Sequence, residues 1–186
     1  MFQNTFVNST ACIGRNGRMA AGDLFGWHAS TGPDVEKREG HVFVNNLMTA
    51  DKGFGRPLLF VWQPESLCVR VPGAQLRQLD NNVAVRAADH SPYPLVLWSP
   101  AKGAKCQAGC ESLEALHASN ADFCEHSRSY ANYSGPLFKS QELGNLQLLP
   151  GFAGSKVAIK PPAEIVTALG NPTMIGSYVG AYPATR

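Results

Sequence analysis

The sequence predicts an all-β solenoid, a chain of short strands stacked in repeated layers, on three observations. The run Leu59-Phe60-Val61-Trp62-Gln63-Pro64 recurs without a gap as Leu95-Val96-Leu97-Trp98-Ser99-Pro100, a shift of 36. The same shift lays Asn45-Asn46 on Asn81-Asn82, Phe43 on Leu79 and Leu47 on Val83. A shift of 37 carries Phe43-Val44-Asn45 back to Phe6-Val7-Asn8 and puts Phe25 under Trp62. A repeat of this length marks units that cannot bury their own apolar face and must stack on a neighbour.

The units hold continuous or alternating apolar runs with no 3.6-residue period, so each is built from strands. Stacked in parallel, equivalent positions become vertical neighbours about 4.8 Å apart. Phe25, Trp62 and Trp98 then form an internal aromatic stack. The asparagines stack at a turn, where a left-handed backbone and amide-to-amide bonding both suit them. Loops leave each unit at GRNGRMAAGD, at residues 28–40 and at CVRVPGAQLR. A short helix is expected near Leu113, Leu116 and His117, with Ser112 as its N-cap.

At 186 residues the chain suits one domain with a real core. Eighteen glycines and thirteen prolines favour short strands and turns over long helices. A formal charge of +2, with the basic residues scattered, points away from a nucleic-acid platform. No apolar run approaches the roughly 18 residues that span a bilayer, and the first ten residues carry no signal-peptide pattern.

The asparagine turn in FVNNLM (43–48) looks like the strand–turn–strand text of right-handed parallel β-helix proteins of the polysaccharide-lyase and glycoside-hydrolase kind. GPLFKSQELGNLQLLPGFAG (135–154) resembles their final-coil segment, and VGAYP (179–183) resembles the short closing strand. Gly151-Phe152-Ala153-Gly154-Ser155 stands where that family commonly has a Gly-Ser-Pro-Ala-type stretch. The resemblance implies one right-handed parallel β-helix domain over 1–186, with coils at about 4–40, 41–76 and 77–134 and a cap at 135–186. It also implies a secreted or periplasmic protein that cleaves or binds a polysaccharide, with no cofactor. A non-catalytic scaffold or adhesion module, or an inactive fragment, is the alternative.

A solenoid needs a cap at each end, and residues 1–8 enter a repeat strand directly. The expectation is therefore a C-terminal part of a longer protein, with upstream coils as a partner.

The loop GWHASTGPDVEKREGH is the densest cluster of titratable groups. Sugar cleavage needs two carboxylates flanking the glycosidic bond, or a base working beside a cation. His28, Asp34, Glu36, Arg38 and His41 are the catalytic candidates, and Trp27 offers a flat face to a sugar ring. The plainer alternative is a solvated charged loop. Trp62 and Trp98, inside proline-bounded apolar strands, are read as core.

Of the five cysteines, Cys12 and Cys68 read as reduced core thiols. Cys106, Cys110 and Cys124, with His117 and His126 nearby, leave three readings open: zinc, a disulfide between two of the three, or plain thiols. No metal site is assigned. The sequence holds no phosphate loop, nucleophile elbow or nucleotide fingerprint.

Overall fold

The computed structural model describes residues 1–15, 39–87, 91–168 and 176–182. The elements are β1 (Thr5–Val7), β2 (Ala11–Gly14), β3 (His41–Val44), β4 (Leu47–Ala50), β5 (Leu59–Trp62), α1 (Glu65–Cys68), β6 (Leu76–Asp80) and β7 (Val83–Ala87). They continue with β8 (Val96–Trp98), β9 (Ala108–Cys110), α2 (Leu113–Ser119), β10 (Arg128–Tyr133), β11 (Phe138–Ser140), β12 (Asn145–Leu148) and α3 (Ala163–Ala168). Short 3₁₀ turns lie at Ala104–Cys106, Gln141–Leu143 and Ala153–Val157.

Among the described residues the strands form four sheets, with orders β1-β4-β7-β10, β2-β5-β8-β9, β3-β6 and β11-β12. The first and third are parallel throughout, but β9 runs antiparallel to β8, and β11 and β12 form an antiparallel pair. Helices and 3₁₀ turns interleave with these parallel and mixed sheets. The chain is therefore α/β, which corrects the all-β reading and the single right-handed parallel β-helix solenoid with it.

The strand registers show why the repeat misled. Leu47 faces Val83, a step of 83 − 47 = 36, and Phe43 faces Leu79 at the same step. Elsewhere the step changes. Thr5 faces Leu47 (42), Val83 faces Arg128 (45) and Ala11 faces Leu59 (48). One well-kept interval does not make a uniform period.

The tryptophans are also out of register. Leu59 faces Val96 and Phe60 faces Leu97, a step of 37, so the alignment at 36 is one residue short. In a strand a one-residue slip exchanges the two faces. Trp98 points inward, 2% exposed, and its ring meets Phe123 at 5.0 Å. Trp62 belongs to the other face, half-buried, opposite Gly14. The third member of the expected stack, Phe25, lies outside the described residues.

The turn asparagines follow the expected chemistry with a different first member. Asn45 (φ 59°) and Asn81 (φ 55°) are left-handed, and Gln3 (φ 57°) takes the equivalent place in the first layer. The residue after each turns inward. Asn4 donates its backbone N–H and Nδ2 to Asn46 Oδ1 at 3.0 and 2.9 Å. Asn46 does the same to Asn82 Oδ1 at 2.9 and 3.0 Å, and Asn82 N–H donates to Ser127 Oγ at 3.1 Å. Asn8, which the shift of 37 aligned with Asn45, instead bonds to Asp51.

Two apolar clusters flank β4 and β7. Phe43, Met48, Leu59, Val61, Leu79, Ala84, Val96 and Trp98 fill the space between the sheets. On the outer face, Leu47, Val83 and Val85 pack against Phe138, Leu148, Phe152 and Val179. All four residues of β4 are buried, as a strand covered on both faces requires.

The C-terminal segment is held by the left-handed turn residues. Asn45 Nδ2 donates to Ile159 O at 2.6 Å and Asn45 Oδ1 accepts from Ile159 N at 3.0 Å, while Asn81 Nδ2 donates to Val157 O at 2.8 Å. Gly180 then passes so close that a Cβ there would sit 2.6 Å from Thr5 Oγ1. Residues 179–182 take bends, not the closing strand expected for VGAYP. The helix signal was sound: Ser112 Oγ accepts from Ala115 N at 2.9 Å and caps α2.

Trp98→Ala should cost about 3–5 kcal/mol, the range for emptying a buried aromatic site. Trp62→Ala, on the half-buried face, should cost less than half as much. Urea denaturation of both variants checks the difference, which vanishes if the two rings share one internal stack.

Candidate functional site

Where the outer face of β4 and β7 runs past the β11–β12 hairpin, it opens into a cleft of about 360 Å³. Its titratable lining is Asp51, Tyr133, Lys139 and Glu142. Asp51 follows β4 directly. Tyr133 ends β10, and Lys139 and Glu142 come from the hairpin side. Two carboxylates, a cation and a phenol therefore face one space.

Asp51 is the most constrained of the four. Its Oδ2 accepts from Asn8 Nδ2 at 2.8 Å and from Gln141 Nε2, and its own N–H donates to Asn8 Oδ1 at 2.8 Å. A carboxylate held by donors from both sides keeps its direction. Sequence reasoning missed it because its partners lie 43 and 90 residues away. The one legible signal was an acidic residue directly after an apolar strand.

Asp51 and Ala87 also line a second hollow of about 130 Å³, together with Arg86 and Ser91. Arg86 donates to Tyr93 O at 3.0 Å and to Arg56 O at 2.7 Å, tying two loops. Burial lowers its pKa, against the raising influence of Glu111. Among the described residues its Nε has no hydrogen-bond partner.

Of the residues singled out in the sequence, Trp27, His28, Asp34, Glu36 and Arg38 lie outside the described residues. His41 begins β3, exposed, and lines a separate hollow of about 240 Å³ beside Met1 and Cys12. It does not line the Asp51 cleft. Glu39, from the same charged run, reaches Arg15 Nη2 at 3.7 Å. Arg15 itself is fully buried and also donates to Gln63 Oε1 at 2.9 Å.

The cysteines pair otherwise than expected. Cys68 bonds to Cys106, tying α1 to the 3₁₀ turn that follows β8. Cys68 is thus no core thiol, and Cys106 is removed from any thiolate set with its sequence neighbours. Cys110 and Cys124 are buried free thiols, and burial raises both, Cys124 up to about 12. Such thiols are poor nucleophiles. His117 faces Phe123 O at 2.8 Å. Among the described residues no group of three or more His, Cys, Asp or Glu could hold a metal ion. Among them, too, no helix is long and apolar enough to cross a membrane.

A third polar feature joins Asp80, at the end of β6, to the loop before β10. His126 Nδ1 lies 2.7 Å from Asp80 Oδ2, and His126 N–H donates to Asp80 Oδ1 at 2.7 Å. Burial pushes the Asp80 pKa up, but the His126 side-chain and backbone hydrogen bonds outweigh it, and the net shift is downward. His126 is raised, first by its hydrogen bond to Asp80 and then by that residue's charge. Glu125 also raises it and Arg128 lowers it.

No protein-family model, curated protein or solved structure matches this chain. The geometry of its own residues therefore carries the functional argument.

The Asp80–His126 pair sets a pH dependence with a definite sign. Depressed Asp80 contributes stability above its ordinary value of 3.8, and this is lost as pH falls through the lower folded value. Raised His126 contributes fully below its ordinary value of 6.5, and this is lost as pH rises through the higher folded value. The stability difference between the natural protein and His126→Gln should peak between these limits and shrink on either side. Urea midpoints measured across pH check it; a difference independent of pH contradicts the pairing.

Proposed function

We propose that the protein is carbohydrate-active, binding a polysaccharide in the cleft beside Asp51 and cleaving it with the Asp51–Glu142 pair. The observation that carries this reading is that both carboxylates line one open cleft, with Asp51 fixed by Asn8 and Gln141. Glycosidic hydrolysis uses one carboxyl group to protonate the leaving oxygen and a second to attack or to activate water. Asp51, held in place by Asn8 and Gln141, suits the second role, and exposed Glu142 suits the first. Tyr133 and Lys139 add a ring and a donor for sugar hydroxyls. An open cleft that shares Asp51 and Ala87 with a second hollow suits a chain longer than one sugar unit.

A secreted or periplasmic location agrees with the Cys68–Cys106 disulfide, since such bonds persist in oxidising compartments. Polysaccharide is the proposed partner, and the reading requires no cofactor.

The test is a panel of soluble polysaccharides, with binding followed by calorimetry and cleavage by release of reducing ends. Glu142→Gln should lower cleavage about a hundredfold or more while leaving binding in place. Asp51→Asn should do the same, since the amide keeps the side chain's shape. Binding without cleavage in the natural protein reduces the cleft to a non-catalytic module. Absence of binding to every polysaccharide defeats the proposal.

A further inference from the structure

The inward asparagines form a directed column. Each layer donates two hydrogen bonds to the side-chain oxygen of the layer after it, from Asn4 to Asn46 and from Asn46 to Asn82. At the far end the column closes on Ser127, whose Oγ donates to Asp80 Oδ1 at 3.3 Å. At the near end it does not close: Asn4 Oδ1 accepts no hydrogen bond from any described residue.

The same layer leaves two sheet edges open among the described residues. β1 pairs only with β4, and β2 only with β5. Neither Thr5–Val7 nor Ala11–Gly14 carries a charge or a proline, the devices that usually blunt an edge. Cys12 and Gly14 are exposed. Phe6 stacks on Phe43 at 6.0 Å on its inner side, and is itself only half-buried. By contrast β3 is partly covered, since Phe2 bridges to Val44.

We propose that this edge is an interaction surface for a polypeptide partner presenting a strand–asparagine–strand layer. The partner's asparagine donates its N–H and Nδ2 to Asn4 Oδ1, and the strand that follows it extends the sheet on the open edge of β1, as β4 does on the other edge. The residue two places after that asparagine must be apolar, because it lands over Phe6, as Met48 and Ala84 do in the layers that follow. The column's direction excludes a two-fold dimer through this edge, because two Asn4 oxygens would meet acceptor to acceptor. The mode is strand addition, with backbone bonds giving affinity and the asparagine giving register.

The test uses a fluorescent peptide of residues 41–50, HVFVNNLMTA, titrated with the full chain and followed by anisotropy. Saturable binding is expected. Asn46→Ala in the peptide removes the Nδ2 donor but keeps the backbone N–H, and should weaken binding about fivefold, the effect of losing one hydrogen bond. Asn4→Ala in the chain removes the acceptor of both bonds and should weaken the unchanged peptide about tenfold, and the peptide variant tests the same contact without touching the chain's fold. Absence of saturable binding up to about 1 mM, near the weak limit of specific association, overturns the proposal. So does equal binding of both peptides, or a chain that dimerises through β1 in sedimentation.

Discussion

In the layers of β1, β4 and β7 one turn residue adopts a left-handed backbone and the next, an asparagine, turns its amide into the interior. Asn46 and Asn82 are both fully buried. A buried primary amide is tolerable only when its donors and acceptor are all engaged. Asn82 meets that demand with Asn46 above, the Phe43 and Asp80 carbonyls beside Nδ2, and Ser127 below. Sliding β7 by one residue along β4 would break several of these bonds at once. The column therefore fixes the register of β4 on β7, and with it which side chains enter the core.

That register places the polar surface. With Leu47 opposite Val83, the ends of β4 and β7 fall together, so Asp51 and Ala87 emerge side by side at the cleft floor. The outward-facing members of the same turns, Asn45 and Asn81, hold Ile159 and Val157. One two-residue turn therefore orders the interior through its second residue and anchors the C-terminal segment through its first. The hairpin that walls the cleft packs on Leu47, Val83 and Val85 of the same strands.

The second and third layers were legible in the sequence because two independent signals agreed there, the Asn-Asn pair and the flanking apolar residues. The first layer was not. Gln3-Asn4 shares only one residue with the pair, whereas Phe6-Val7-Asn8 copies Phe43-Val44-Asn45 in text but not in place. The tryptophans misled by a single residue, because the loops joining the asparagine turn to the next strand differ by one between layers. β9, α2 and the antiparallel hairpin broke the repeat in a region whose helix cap was readable but whose strand direction was not. The Asp51 cleft was invisible, since Asp51, Tyr133 and Glu142 meet only through tertiary packing.

The most direct test of the column is hydrogen exchange at the side-chain amides of Asn46 and Asn82, observed by NMR. If these amides hold the register, their Nδ2 protons exchange only when the whole fold opens. Exposed Asn132 and Asn145 in the same sample then serve as the fast reference. Exchange of Asn46 and Asn82 at the reference rate would contradict a buried asparagine column.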